Sequence, residues 1–272
     1  MNFLKKGFAF YINSSIHVAL AVCALACVTL LELGLKPSKV VLCFIFFAAI
    51  SGYNFVKFFS DLKFYYPRLA NRVKAIPVLT LFSVLMTGFY MIQLQTKTVF
   101  IVSGFAVLTV LYSIPFLRNK TQNLRHVEGL KVYIIAFVWM GVSVFLPVIE
   151  SGHDITKEVL LMGLQRFAYV LVLMLPFEIR DLKYDPLNLK TIPQKIGVKK
   201  TKLLGVVLLV FMLVLEYFKA EASASSGIAL GIVLFVTGVF VWRSKQEQAK
   251  YYCAFWVEAL PVVWLILMLI VG

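Results

Sequence analysis

Charge is scarce in this chain: Asp, Glu, Lys and Arg make up 15% of its 272 residues, against about a quarter in an ordinary soluble domain. Set beside 61% hydrophobic residues, that shortage excludes a soluble globular protein. Cysteine is also sparse. Cys23, Cys27, Cys43 and Cys253 all lie inside apolar stretches, so no spaced framework exists to staple a small secreted domain, and they read as packing residues. The only histidines, His17, His126 and His153, fall in separate regions and build neither a metal site nor a general-base cluster. A Walker-type glycine loop and a nucleophile elbow are both missing. Continuous period-two alternation is absent too, which argues against barrel strands. The first long apolar stretch runs to about Leu35 without a small-residue cleavage pattern before a polar chain, so it is read as a crossing rather than a cleaved signal.

Apolar segments of helical length fill the rest. Hydropathy places helices near 10–34, 38–57, 76–94, 98–116, 130–149, 158–178, 202–219, 224–242 and 251–271. At about 20 residues per crossing, nine crossings take about 180 residues and leave about 90 for loops and ends, which excludes large extramembrane domains. The expected fold is an all-α membrane protein of nine transmembrane helices in a single bundle, one domain over 1–272, because helices satisfy the backbone within a bilayer.

A net charge of +14 raises the question of nucleic acid, but membrane topology accounts for it. With the amino terminus cytoplasmic, 21 of the 27 Lys and Arg fall on the inner side, five (Lys36, Lys39, Lys97, Lys157 and Lys219) on the outer, and Arg166 inside a helix. This is the positive-inside asymmetry. Loop length repeats it: 35–37, 95–97 and 220–223 are short outer connections, whereas 58–75, 117–129 and 179–201 are long inner ones. The expectation is an integral, multi-pass protein of a bacterial inner membrane, carboxyl terminus extracytoplasmic, with no nucleic-acid partner and its chemistry facing the cytoplasm.

The most informative stretch is Phe177 to Asp185, at the inner end of the sixth expected helix. Glu178, Asp181 and Asp185 stand at i, i+3 and i+7, so continued helix puts three carboxylates on one face. Hard oxygen ligands of that kind hold Mg2+, an ion usually shared between carboxylates and substrate phosphates. The other reading is a solvated helix end balanced by Arg180 and Lys183. Arg118 and Lys120, just past the fourth helix, are placed to clamp phosphate oxygens, with Tyr112 one to two turns deeper; plain positive-inside anchoring is the alternative.

After the acidic turn come Lys190-Thr191-Ile192-Pro193-Gln194-Lys195-Ile196-Gly197. The run from Glu178 to Gly197 resembles the second aspartate-rich motif of the UbiA superfamily of intramembrane prenyltransferases, with Ile192 and Ile196 as conservative departures. Tyr112 to Lys120, and Gly129-Leu130-Lys131 leading into Trp139 and Pro147, are similar to the family's corresponding segments. The resemblance implies Mg2+ held by Asp181 and Asp185 on the diphosphate of an isoprenyl donor. It further implies transfer of the prenyl group, within the lipid bilayer, to a lipophilic or aromatic acceptor.

The first motif departs from the family pattern of Asn, three residues, Asp, three residues, Asp. With Asn54 as the asparagine, the aspartate positions hold Phe58 and Leu62, Asp61 is one residue out of register, and Lys57 stands at i+3. Either Lys57 replaces a metal by neutralising the diphosphate directly, or metal-dependent catalysis is lost. The expected roles are Asp181 and Asp185 on the metal, Lys57, Arg118 and Lys120 on the diphosphate, and Asn54 in orienting it. Tyr112, Glu178, Asp61 and Lys131 are further candidates.

Arg166 and Glu258 are the clearest charges inside apolar spans, where ionisable groups are costly and default to function; one reading pairs them, although their depths differ by about 8 Å at 1.5 Å per residue. Tyr53, Phe55, Phe58 and Phe59 can line an isoprenoid channel and stabilise a cation with their ring faces, or simply face lipid. A terpene cyclase on the same scaffold and a non-catalytic isoprenoid-diphosphate binder are the rival readings.

Overall fold

The computed structural model describes residues 3–61, 75–114, 124, 127–186, 189–219 and 224–271, with the side chains of 3, 58–61 and 224 left undescribed. Every regular element among them is helical. In chain order they are α1 (Phe3–Asn13), α2 (Ile16–Glu32), α3 (Lys39–Asp61), α4 (Ala75–Met91), α5 (Thr96–Ser113), α6 (Lys131–Glu150), α7 (Lys157–Asp181), α8 (Ile192–Tyr217), α9 (Ala224–Arg243) and α10 (Tyr252–Val271).

Among the described residues, six helices have the length and apolarity to cross a membrane, and the α1–α2 pair, bent by 57° at its break, makes a seventh if it is one span. Hydropathy alone suggested nine. The difference has local causes: α4 is apolar but 17 residues long, and α8 is kinked at Gly197, where φ is 76, with Lys199, Lys200 and Lys202 following before its apolar part begins.

Two helices form the interior. Ala19, Ala21, Ala24 and Ala26 are buried along α2, and small side chains let membrane helices approach closely; α2 accordingly packs on α3, α10 and the middle of α6. The second interior helix, α7, packs on α6, α8 and α9 and buries Tyr169, Leu175 and Ile179 completely. Midway along α6 a π-helical turn, Gly141–Phe145, widens the helix. A Cβ on Gly141 would stand 1.9 Å from the Phe105 ring of α5, so only glycine admits that contact. Outward-facing Val78, Leu85, Phe100, Phe235 and Ile270 stay exposed, an apolar surface that calls for lipid. An apolar groove of about 580 Å³ runs between α8 and α9, edged by Trp242 and Arg243.

Candidate functional site

The acidic stretch does not continue as helix. α7 ends at Asp181, and the backbone N–H groups of Tyr184 and Asp185 both donate to the Asp181 carbonyl at 2.8 Å, turning the chain before Pro186. α8 then starts with a capping box, in which the Gln194 side-chain oxygen accepts from the Thr191 N–H at 2.9 Å. The Gln194 amide also donates to the Asp185 and Pro186 carbonyls, each at 3.2 Å. The Thr-Ile-Pro-Gln segment is thus a clip that fixes the acidic turn, and its physical basis is the satisfaction of α8's free N-terminal donors.

A second segment docks on this turn. The Gly129 N–H donates to the Leu189 carbonyl at 2.8 Å, and Lys190 pairs with Glu128 at 2.7 Å. Gly129 adopts φ +70 with the Lys190 carbonyl 3.3 Å from where a Cβ would be, so a side chain here would be both strained and crowded. This approach delivers Lys131, the first residue of α6, to the carboxylates. Its Nζ lies 2.9 Å from Glu178 Oε1 and 3.7 Å from Asp185 Oδ2. The Lys131–Glu178 contact is an ion pair by distance, but its angles are not those of a hydrogen bond. Glu178 Oε1 and Asp185 Oδ2 are both buried without a hydrogen-bond partner among the described residues. Asp181 faces another cation: Arg180 donates from Nε to Oδ1 at 2.8 Å and from Nη2 to Oδ2 at 3.2 Å. The three carboxylates therefore share one end of the bundle but divide between two internal cations. Among the described residues, no three His, Cys, Asp or Glu side chains are grouped as metal ligands.

The first-motif residues meet at the break between α1 and α2. Ser15 has φ 66, a left-handed conformation uncommon for a residue with a side chain. Its hydroxyl donates to Asn54 Oδ1 at 2.7 Å and accepts from Lys57 Nζ at 2.8 Å. The Asn54 amide donates to the Ser14 carbonyl at 3.2 Å and to Thr80 Oγ1 at 2.9 Å, and Lys57 also donates to the Asn13 carbonyl at 3.2 Å. Asn54 is buried, and its oxygen and both amide protons are engaged by the chain itself.

No protein-family model matches the chain, and no curated protein matches it in sequence. Solved structures do match. A UbiA homologue from Archaeoglobus fulgidus, at 12% identity, superposes with a TM-score of 0.66 over 95% of this chain and 98% of its own. A UbiA homologue from the same organism bound to GPP and Mg2+ gives 0.63 at 11% identity, over 96% and 98%. A digeranylgeranylglyceryl phosphate synthase gives 0.60 at 13%, over 98% of both chains. The chain has the UbiA fold.

On this UbiA fold, Lys131, Glu178, Asp181 and Asp185 are gathered at one end of the bundle, whereas Asn54 and Lys57 hold the α1–α2 break. Tyr112 is buried at the end of α5, within electrostatic reach of Tyr53, whose hydroxyl accepts from Trp139 Nε1 at 2.5 Å. Arg118, Lys120 and Leu62 lie outside the described residues, as do the side chains of Phe58, Phe59 and Asp61. The suggested Arg166–Glu258 pair is not formed. Arg166 donates to Thr29 Oγ1 at 3.2 Å and sits 4.6 Å over the Trp264 ring, with Glu32 as its nearby anion. Glu258 instead follows a π-helical turn, Tyr252–Val257, within electrostatic reach of Lys57 and Arg180. Three features escaped the sequence reading: the strained break at Ser14-Ser15, the fork of Arg180 on Asp181, and Glu258 beside the first-motif lysine. The paired serines between two apolar runs were the available signal for the first; nothing local in sequence announces the other two.

Proposed function

We propose that this chain is an intramembrane prenyltransferase, which cleaves an isoprenyl diphosphate and transfers the prenyl group to a lipophilic or aromatic acceptor. The observation that carries the reading is the cluster of Lys131, Glu178, Arg180, Asp181 and Asp185 at one end of a UbiA-type bundle, a fold also found in a homologue bound to GPP and Mg2+. In this reading nine crossings leave the amino terminus and the acidic turn cytoplasmic and the carboxyl terminus outside, in a bacterial inner membrane.

The turn fits a divalent cation in its chemistry, since Glu178 Oε1 and Asp185 Oδ2 are buried anionic oxygens without hydrogen bonds. Asp181 and Asp185 would hold Mg2+, which when bound supplies positive charge against the leaving diphosphate. Lys57, Arg118 and Lys120 meet the remaining phosphate oxygens. Cations fixed beforehand where charge develops stabilise the breaking carbon–oxygen bond more than the intact substrate. Tyr53, Tyr112 and Trp139 offer ring faces to the allylic cation. The acceptor atom then bonds the prenyl carbon and gives up its proton.

The test is release of diphosphate from a series of isoprenyl diphosphates by purified protein, with and without Mg2+ and with candidate acceptors. Acceptor-dependent release with a prenylated product supports transfer, and acceptor-independent release with a cyclic product points to a cyclase. A second reading, a non-catalytic isoprenoid-diphosphate binder, draws on the engagement of Asn54 and Lys57 by the chain's own backbone. Saturable binding without release under every condition would select it.

A further inference from the structure

The ion pair of Lys131 with Glu178 has the surroundings of a cation site. Lys131, Glu178, Gly129 and Thr191 line a small crevice of about 10 Å³, the room of a single water-sized particle, and the two nearest anionic oxygens, Glu178 Oε1 and Asp185 Oδ2, are buried and lack hydrogen bonds among the described residues. Anionic oxygens left in that state are what a hard divalent cation takes as ligands. The ammonium among them is held in place. Its side chain is 13% exposed, and the segment before it is docked on the Leu189 carbonyl and on Lys190. A surface lysine has no comparable constraint.

We propose that Lys131 is the resident counter-ion of the acidic turn, its ammonium occupying the place between Glu178 and Asp185 that a divalent cation would otherwise fill, so that without diphosphate the turn binds metal weakly. The proposal rests on reading the turn as the metal and diphosphate site. It adds an order of events: diphosphate oxygens give the ammonium a new anionic partner, which frees the carboxylates, so metal and diphosphate enter together. Lys131 is a positioning residue here, acting through the carboxylates.

Mn2+ alone, titrated into the detergent-purified full chain and followed by the electron paramagnetic resonance of the free ion, tests this without substrate. The wild type and Lys131→Arg should bind weakly. Lys131→Met should bind at least about tenfold more tightly, because a like charge no longer stands where the ion enters, and Mn2+ should raise its thermal midpoint but not that of the wild type. Because Lys131→Met leaves Glu178 buried without a counter-ion, Lys131→Met/Glu178→Gln is measured beside it. This double variant keeps Asp185 uncompensated and should also exceed the wild type. The proposal is overturned if the wild type binds Mn2+ as tightly as the variants, or if no folded variant gains affinity. An isoprenyl diphosphate titration separates the two readings. Gained Mn2+ affinity with no diphosphate binding by any protein keeps the counter-ion and removes the prenyltransferase; diphosphate binding without that gain does the reverse.

Discussion

Replacing Asn54 with Ala distinguishes a residue that holds the helix break from one that orients a substrate. Its side chain makes three hydrogen bonds, to Ser15 Oγ, the Ser14 carbonyl and Thr80 Oγ1, each contributing about 0.5–1.5 kcal/mol net. The loss is not the full sum. Ser15 Oγ still accepts from Lys57, and Thr80 Oγ1 keeps its own donation to the Ile76 carbonyl, so the cost falls on the Ser14 carbonyl and on the buried Ser15 hydroxyl proton, which loses its acceptor. We expect destabilisation of about 2 kcal/mol. For a chain of this size that is a fall of roughly 4–8 °C in thermal midpoint, read by circular dichroism in detergent. Diphosphate affinity, measured well below that temperature, should change little. An unchanged midpoint together with lost isoprenyl diphosphate binding would refute the reasoning and place the amide on the substrate.

Asp181→Asn and Asp185→Asn should each abolish Mg2+-dependent binding of an isoprenyl diphosphate with the fold intact by circular dichroism; unchanged affinity in both at matched Mg2+ would show that the turn is not the diphosphate site. Lys57→Ala should weaken diphosphate binding by about 1–3 kcal/mol, the size of a charged hydrogen bond, and extra Mg2+ should not restore it; equal affinity in calorimetric titration would leave Lys57 only its role at the Ser15 break. Gly141→Ala drives a Cβ into the Phe105 ring and should cost about 1–3 kcal/mol as overpacking, seen as a lower thermal midpoint that Phe105→Ala partly restores. A reporter fused after Gly272 should be extracytoplasmic and one inserted in the 182–191 turn cytoplasmic, whereas both on one side would reject the expected topology.

The helical class was legible because it rests on composition: a bilayer requires internally satisfied backbone and long apolar segments, and the apolar runs coincide closely with α3, α5, α6, α7, α9 and α10. What hydropathy could not register was conformation at single residues. The first apolar run reads as continuous from 10 to 34, yet Ser14 and Ser15 break it, because two hydroxyls and a neighbouring asparagine can satisfy a left-handed turn that no average over 20 residues detects. The acidic face was half legible. Spacing put Glu178, Asp181 and Asp185 on one helical face, but it assumed a helix that stops at Asp181. Their cationic partners depend on tertiary docking, since Lys131 lies 47 positions before Glu178 in the chain. Arg166 shows the same limit, for it meets Thr29 and Trp264 on helices that its own sequence neighbourhood does not indicate.

Two clusters of ion pairs in the bundle differ in a way that bears on what each can do. One joins α2, α7 and α8. Lys219 bridges Glu32 at 3.0 Å and Glu216 at 2.7 Å, Gln165 donates to Glu216 at 2.9 Å, and Arg166 lies beside Glu32 in charge. Two cations meet two anions, so this cluster is neutral as built and needs nothing added. Removing Lys219 would leave two mostly buried carboxylates short of a counter-charge, a loss of about 3–5 kcal/mol, which is the behaviour of a tie between helices. At the acidic turn the count is different. Among the described ion pairs, Lys131 and Arg180 face Glu178, Asp181 and Asp185, one more carboxylate than cation, with buried oxygens that lack hydrogen bonds. A buried excess charge is costly unless a partner arrives, so of the two clusters only this one gains from an incoming cation. Among the described residues, the turn is therefore where an added cation would change the energy of the bundle most.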